Sequence, residues 1–281
     1  MINVKINGKA IQVPEGATIL AAAKMANVKI PSLCYNSDLP AWASCGICIV
    51  RMEGTPRMLR ACCTKVTEGM SVITHDPEIV KARRTVLELI LSNHPQECLT
   101  CTRNNQCELQ SLAAEFGLRQ IRFEHFIIDR PVDDSNDAIV FDRNKCINCG
   151  RCVEVCQEMQ KVNAIEYQGR GGKPVIGPAD LAKLSDSPCV RCGQCAAHCP
   201  VGAIYEAHSN RKVWDKLSDG SMISVAQIAP AVRVALGEEF GLEPGAISTK
   251  KIYAALRRIG FKYVFDTNFS ADLTIMEEGT E

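Results

Sequence analysis

The chain has 281 residues, 46% hydrophobic and 5% aromatic, with 32 basic against 32 acidic side chains and 16 Cys. No basic run is longer than Arg83-Arg84 or Arg257-Arg258, which argues against nucleic acid as a partner. The opening Met1–Gly16 has no basic flank before an apolar run, and Ile19–Ala23 is too short to span a bilayer, so neither a signal peptide nor a membrane span is expected. A cytoplasmic, thiol-reducing setting follows, in which the Cys read as metal ligands rather than disulfides. Many Cys and few aromatics fit small modules closed by something other than a large apolar core.

Asn3–Ile6 and Ile11–Val13 alternate as strands around a hairpin turn at Asn7-Gly8-Lys9. Ala17–Ala26, rich in Ala, reads as a helix. A loop then carries Cys34, Cys45, Cys48 and Cys62 at the spacing C-x10-C-x2-C-x13-C. Four thiolates by themselves suit zinc as well as iron. Strand, turn, strand, helix and Cys loop is the order of the β-grasp fold, and that context points to a [2Fe–2S] cluster. Gly46, between Cys45 and Cys48, is placed to let backbone N–H groups approach the sulfurs. Cys63 is one Cys too many; it reads as a small packing residue, with exchange against Cys62 as the alternative.

A helix is expected over Val80–Ser92 and another over Glu108–Phe116. Between them lie His94, Cys98, Cys101 and Cys107, spaced H-x3-C-x2-C-x5-C. Three Cys and one His again suit zinc. The total decides: four clusters need 16 ligands, and 15 Cys (Cys63 set aside) plus His94 supply them. A His-ligated [4Fe–4S] cluster is therefore expected, its neutral imidazole shifting the potential relative to an all-thiolate cluster. His75, His125, His198 and His208 have no such spacing. Asp129–Asn136, polar and containing Pro131, reads as a linker.

Cys146-x2-Cys149-x2-Cys152-x3-Cys156 is followed by Cys189-x2-Cys192-x2-Cys195-x3-Cys199-Pro200. This is the bacterial ferredoxin run, twice, and the fourth Cys of each run serves the other cluster. One [4Fe–4S] cluster is thus expected on Cys146, Cys149, Cys152 and Cys199, another on Cys189, Cys192, Cys195 and Cys156. Between the runs, Ala164–Tyr167, Gly169–Gly172 and Pro174–Ile176 read as a hairpin insert.

The last stretch has no Cys. Ser224–Ala229 reads as a buried strand, Ala231–Phe240 as a helix, Ser248–Arg258 as a helix capped by Ser248 or Thr249, and Tyr263–Asp266 as a second strand. Alternating strand and helix implies an α/β domain with too few strands for a full sheet. Thr280-Glu281 reads as the start of a further helix, so an incomplete domain is expected.

Taken together, residues 1–210 resemble the modules at the front of large [FeFe]-hydrogenases, of the NADH:quinone oxidoreductase large electron-transfer subunit and of some NAD-linked formate dehydrogenase α subunits. In these families the ligand follows Arg-Ala, as Cys62 follows Arg60-Ala61. Three later segments, Gln227–Ala235, Lys251–Phe261 and Phe265–Glu281, resemble the start of the [FeFe]-hydrogenase catalytic domain. The resemblance implies an α+β chain: a β-grasp [2Fe–2S] domain (1–78), a His-ligated [4Fe–4S] module (79–128), a two-cubane ferredoxin domain (138–210) and the start of the H-cluster domain (222–281). It implies that Ala229, Pro230 and Ala231 wall the H-cluster and that Glu278 and Glu281 belong to its proton path. Their i, i+3 spacing puts both carboxylates on one helix face, which by itself describes a solvated face equally well. The H-cluster ligands of that family lie further on, and no Cys follows Cys199, so the H-cluster belongs only to a longer protein. The implied activity is reversible H2 oxidation. The implied partners are a ferredoxin and/or a flavin-containing, NADH-oxidising subunit, in an oligomeric complex. A stand-alone electron-transfer adaptor, and the front of a formate dehydrogenase or complex I-type subunit, are the alternatives.

Overall fold

Asn7 and Gly8 both take positive φ, 50° and 80°, the conformation a two-residue hairpin turn needs to match strand twist. They join β1 (Ile2–Ile6) to β2 (Lys9–Val13) in antiparallel register. The computed structural model describes residues 1–171 and 174–279. Thr18 caps α1 (Ile19–Met25), its Oγ1 accepting from Ala21 N. The chain then runs through β3 (Ile49–Met52), β4 (Met58–Arg60) and β5 (Ser71–Ile73). The five strands form one mixed sheet in the order β2-β1-β5-β3-β4, with β1 and β5 parallel. One face of α1 buries Ile19, Ala22 and Ala23 against Val4, Ile6, Val50 and Val72.

Helix α2 (Pro77–Ser92) starts three residues before its expected boundary. Asp76 accepts from Ile79 N at 2.8 Å, and Pro77 occupies the first turn, where its missing N–H costs nothing. After α3 (Glu108–Glu115), β6 (Ile139–Phe141) leads into the short α4 (Arg151–Glu154), which widens into a π-turn over Val155–Met159. Strands β7 (Glu166–Gln168) and β8 (Val175–Gly177) form the expected hairpin; Gly172, in its expected turn, lies outside the described residues. Helix α5 (Gln194–His198) and β9 (Ile204–Glu206) follow, with β9 antiparallel to β6.

The Cys-bearing segments share a core. Leu33 and Ile47 from the first Cys loop pack with Leu87 of α2, Leu109 and Leu112 of α3, and Val201 and Ala203 after the last Cys. This sharing is why Met1–Ala207 is one compact unit. Asp129–Asn136 is not a linker. Asp133 and Asn136 are buried. Asp133 Oδ2 accepts from Leu184 N at 2.9 Å and faces Arg143 at 3.3 Å, and Asn136 Oδ1 accepts from Ala138 N at 2.9 Å. Burial alone would raise the Asp133 carboxyl, but hydrogen bonds from Ser135 and Leu184 outweigh it and hold it low.

The second unit, His208–Glu281, is described by itself. It contains α6 (Asn210–Asp219), β10 (Val225–Ile228), α7 (Val232–Ala235), α8 (Thr249–Ile259), β11 (Tyr263–Asp266) and α9 (Thr267–Glu278). The strands β10 and β11 pair in parallel, and Ile228, Ile252 and Val264 form the core. The strand expected to be buried is only partly so: Ile228 is inside and Val225 is exposed. The helix expected over Ala231–Phe240 breaks at Gly237 into α7 and one 3-10 turn. Ser248 precedes α8 but does not cap it; its hydroxyl donates to Arg233 O at 2.8 Å instead. The terminal helix begins at Thr267, capped by Asp266; Thr280-Glu281, expected to open a further helix, lies outside the described residues. Among the described residues no helix is long and apolar enough to cross a membrane.

Candidate iron–sulfur centres

The first Cys loop turns Cys34, Cys48 and Cys62 inward, all buried, with Cys45 half-buried beside them. The thiols perturb one another's titration, Cys34 through its contacts with Cys45 and Cys62, and Cys48 through its contact with Cys62. Those contacts lower Cys34 and Cys48, the latter to about 7, and raise Cys45 and Cys62. Gly46 sits at φ 71°, a left-handed turn that brings Ile47 N to 3.5 Å from Cys45 Sγ. Cys63 is corrected: it is exposed, its Sγ facing Arg60 O at 3.7 Å, and it packs no core. The backbone turn after β4 directs adjacent side chains oppositely, so only Cys62 faces in.

His94, Cys98, Cys101 and Cys107 line one small cavity with Lys145 and Gly202. His94 is buried, which pushes its pKa down and keeps the imidazole neutral. Its Nδ1 lies 2.8 Å from Pro95 O, which only accepts, so Nδ1 carries the proton. Nε2 is left buried, with a lone pair and no partner among the described residues. Gly202 was not singled out by sequence. A Cβ there would lie 2.5 Å from Cys101 Sγ, so the thiol occupies the space a side chain would fill. Its only sequence signal is its place three residues after Cys199.

The two ferredoxin runs fold alike. Asn148 and Arg191 take φ of 51° and 59°, and Gly150 and Gly193 take 83° and 75°. This repeated left-handed turn aims Asn148 N at Cys146 Sγ and Arg191 N at Cys189 Sγ, both at 3.4 Å. Cys156, Cys189, Cys192 and Cys195 line a common cavity with Ile139 and Leu184. Cys146, Cys149, Cys152 and Cys199 lie within one another's electrostatic reach. Burial pushes Cys146, Cys149 and Cys195 up to about 12 and raises Cys152 as well. Thiols so placed stay protonated unless a metal takes the proton's place. Among the described residues, no three His, Cys, Asp or Glu side chains converge on a single ion-sized point.

The remaining expected positions fall in the second unit. Ala229, Pro230 and Ala231 form the exposed turn after β10. Glu278 is the exposed last residue of α9, and Glu281 lies outside the described residues.

A succession of Cys groups at ferredoxin spacing defines an iron–sulfur electron-transfer module. Its parts match known families in the same order. Residues 1–77 match the 2Fe-2S iron-sulfur cluster binding domain and 83–122 the NADH-ubiquinone oxidoreductase-G iron-sulfur binding region. Residues 145–203 match the 4Fe-4S dicluster domain, and 222–281 the C-terminal domain of the iron only hydrogenase large subunit. The chain is 44% identical over its whole length to NADP-reducing hydrogenase subunit HndD of Solidesulfovibrio fructosivorans, covering 49% of that protein. It is 32% identical over 73% of its length to the NAD-reducing hydrogenase HoxS subunit gamma of Cupriavidus necator, covering 87% of that subunit. A crystal structure of NAD+-reducing [NiFe]-hydrogenase in the H2-reduced state superimposes with a TM-score of 0.69, at 28% identity, over 73% of this chain and 87% of that one. The chain belongs to the family of hydrogenase iron–sulfur subunits, as the N-terminal iron–sulfur region of an iron-only hydrogenase-like subunit. It spans about half the length of relatives such as HndD.

Proposed function

We propose that this chain relays electrons through one [2Fe–2S] cluster and three [4Fe–4S] clusters toward the H-cluster of a longer iron-only hydrogenase. Cys34, Cys45, Cys48 and Cys62 hold the [2Fe–2S] cluster on a β-grasp domain, a reading supported by the β2-β1-β5-β3-β4 sheet. His94, Cys98, Cys101 and Cys107 hold the second cluster. Cys146, Cys149, Cys152 and Cys199 hold the third, and Cys156, Cys189, Cys192 and Cys195 the fourth. The observation that carries the reading is His94: a buried neutral imidazole with an unpartnered Nε2 completes the only donor set that lacks a fourth Cys.

When bound, such clusters accept and release single electrons at potentials set by ligands, hydrogen bonds and exposure. The chain's own residues supply those settings. The amides of Ile47, Asn148, Ala164 and Arg191 point at the sulfurs of Cys45, Cys146, Cys156 and Cys189. Donors aimed at a thiolate disperse its charge and favour the reduced state. Burial of Leu33, Ile47 and Val153 keeps water away from the cradles.

In the whole protein, Ala229, Pro230 and Ala231 lie against the H-cluster, Glu278 and Glu281 carry protons to it, and a ferredoxin and/or a flavin-containing NADH-oxidising subunit exchanges electrons with the relay. The test is iron analysis with electron paramagnetic resonance. About 14 iron atoms per chain are expected. His94→Ala should alter one signal and leave the ferredoxin-type pair intact, and zinc in place of iron would overturn the reading. A separate adaptor subunit is the second reading, favoured by the 87% coverage of the HoxS gamma subunit. A coding frame continuing past residue 281 into further Cys codons decides for the hydrogenase.

A further inference from the structure

Three cluster-bearing segments of the first unit meet at one side chain. Arg151 lies between Cys149 and Cys152 and is only 6% exposed. Its Nη1 and Nη2 donate to Glu108 Oε1 and Oε2 at 2.7 and 2.8 Å, a bidentate pair. Nη2 also donates to Tyr35 O at 2.9 Å. Tyr35 follows Cys34, and Glu108 follows Cys107. One guanidinium thus sits beside donors of the Cys146 group and is bonded to the residue next to a donor in each of two other groups.

Its charge is unevenly compensated. The Arg151 side chain is 7% exposed and that of Glu108 45%, so water screens the carboxylate more than the guanidinium. Nε is buried with no partner among the described residues. A guanidinium keeps its proton even when buried, so the positive charge at this junction is fixed.

We propose that Arg151 is a positioning residue that ties the [2Fe–2S] and His-ligated segments to the Cys146 group and, through its buried positive charge, raises the reduction potentials of the clusters on Cys34 and on Cys146. Reduction adds negative charge to a cluster, and a fixed cation nearby stabilises that state. The inference rests on the ligand assignment above. The cluster on Cys156, Cys189, Cys192 and Cys195 is the internal control.

The test is a redox titration of the iron-loaded 281-residue chain, following each cluster's resonance. Arg151→Met should lower the midpoints of the [2Fe–2S] cluster and one cubane by about tenfold in the one-electron equilibrium constant, about 59 mV each, with the control unmoved. Arg151→Lys keeps the charge and loses the bidentate geometry, so its midpoints should stay near the unsubstituted values while proteolysis between the segments speeds up. Glu108→Gln removes the counter-charge and should move the same midpoints upward. A purely structural role predicts that Lys and Met behave alike and that Glu108→Gln shifts nothing upward; either result overturns the inference, as do unmoved midpoints in an iron-replete Arg151→Met chain. Should Arg151→Met fail to load iron, the opposite behaviour of Lys and Gln decides. Too few resonances in the unsubstituted chain would overturn the ligand assignment, and this inference with it.

Discussion

The two units solve the problem of a small core in different ways. In Met1–Ala207 the apolar clusters are interleaved with thiols: Cys48 and Cys62 pack with Val50 and Val72, and Cys107 packs with Leu87 and Leu109. In His208–Glu281 the described core is Ile228, Ile252 and Val264, while Phe240, Ile247 and Met276 are 79%, 80% and 72% exposed. Cys is thus filler as well as candidate ligand in the first unit, and its apolar packing is organised around sulfur. The second unit has a two-stranded parallel sheet and wide apolar faces of the kind that pack against further protein. Its apolar faces and its match to a hydrogenase C-terminal domain model belong together.

This contrast can be broken most sharply by removing the metal. If the first unit is organised by its clusters, chelation should abolish hydrogen-exchange protection from Cys34 to Cys199 and leave α8 and α9 unchanged. Uniform loss, or none, breaks the comparison. Gly202→Ala comes next. The methyl displaces Cys101 Sγ, and iron should fall from about 14 to about 10 atoms per chain, with the resonance of the His94 group lost and the others kept. Leu87→Ala opens a void in the core shared by the three Cys-bearing segments, where Leu87 is fully buried; a loss of about 2–5 kcal/mol is expected in denaturant titrations.

A smaller effect separates the units by pH. Cys146, Cys149 and Cys195 are raised from 9.0 to about 12 in the fold. A raised folded pKa stabilises the protonated form, so this contribution is full below pH 9 and is lost as pH climbs from 9 toward 12. Metal-free first unit should destabilise across that window; the iron-loaded protein, whose thiols carry no proton, should not. The two tryptophans make the comparison direct, because Trp42 reports the first unit and Trp214 the second. The smallest effect is Ile275→Ala on the exposed face of α9, which should change the second unit's stability by no more than about 0.5 kcal/mol.

Ligand spacing, the Asn7-Gly8 hairpin and most helices were legible because they depend on neighbours within a few residues. The start of α2 was misplaced because its signal lies in Asp76-Pro77, ahead of the apolar periodicity. Asp129–Asn136 looked like a linker because polarity in one dimension cannot reveal that Asp133 meets Leu184 N, 51 residues away. Cys63 looked like packing because burial of adjacent side chains depends on which way the turn faces.

By itself the sequence determined the kinds of candidate donor and their grouping into runs, since a cluster's needs are written in residue type and short spacing. Tertiary structure decided what lies between the groups. The shared core of Leu33, Leu87, Leu109 and Val201, the glycine gap over Cys101 and the Arg151 junction join residues remote in the chain. Local pattern carries no record of such contacts, because they exist only once separate segments have buried their apolar faces against one another.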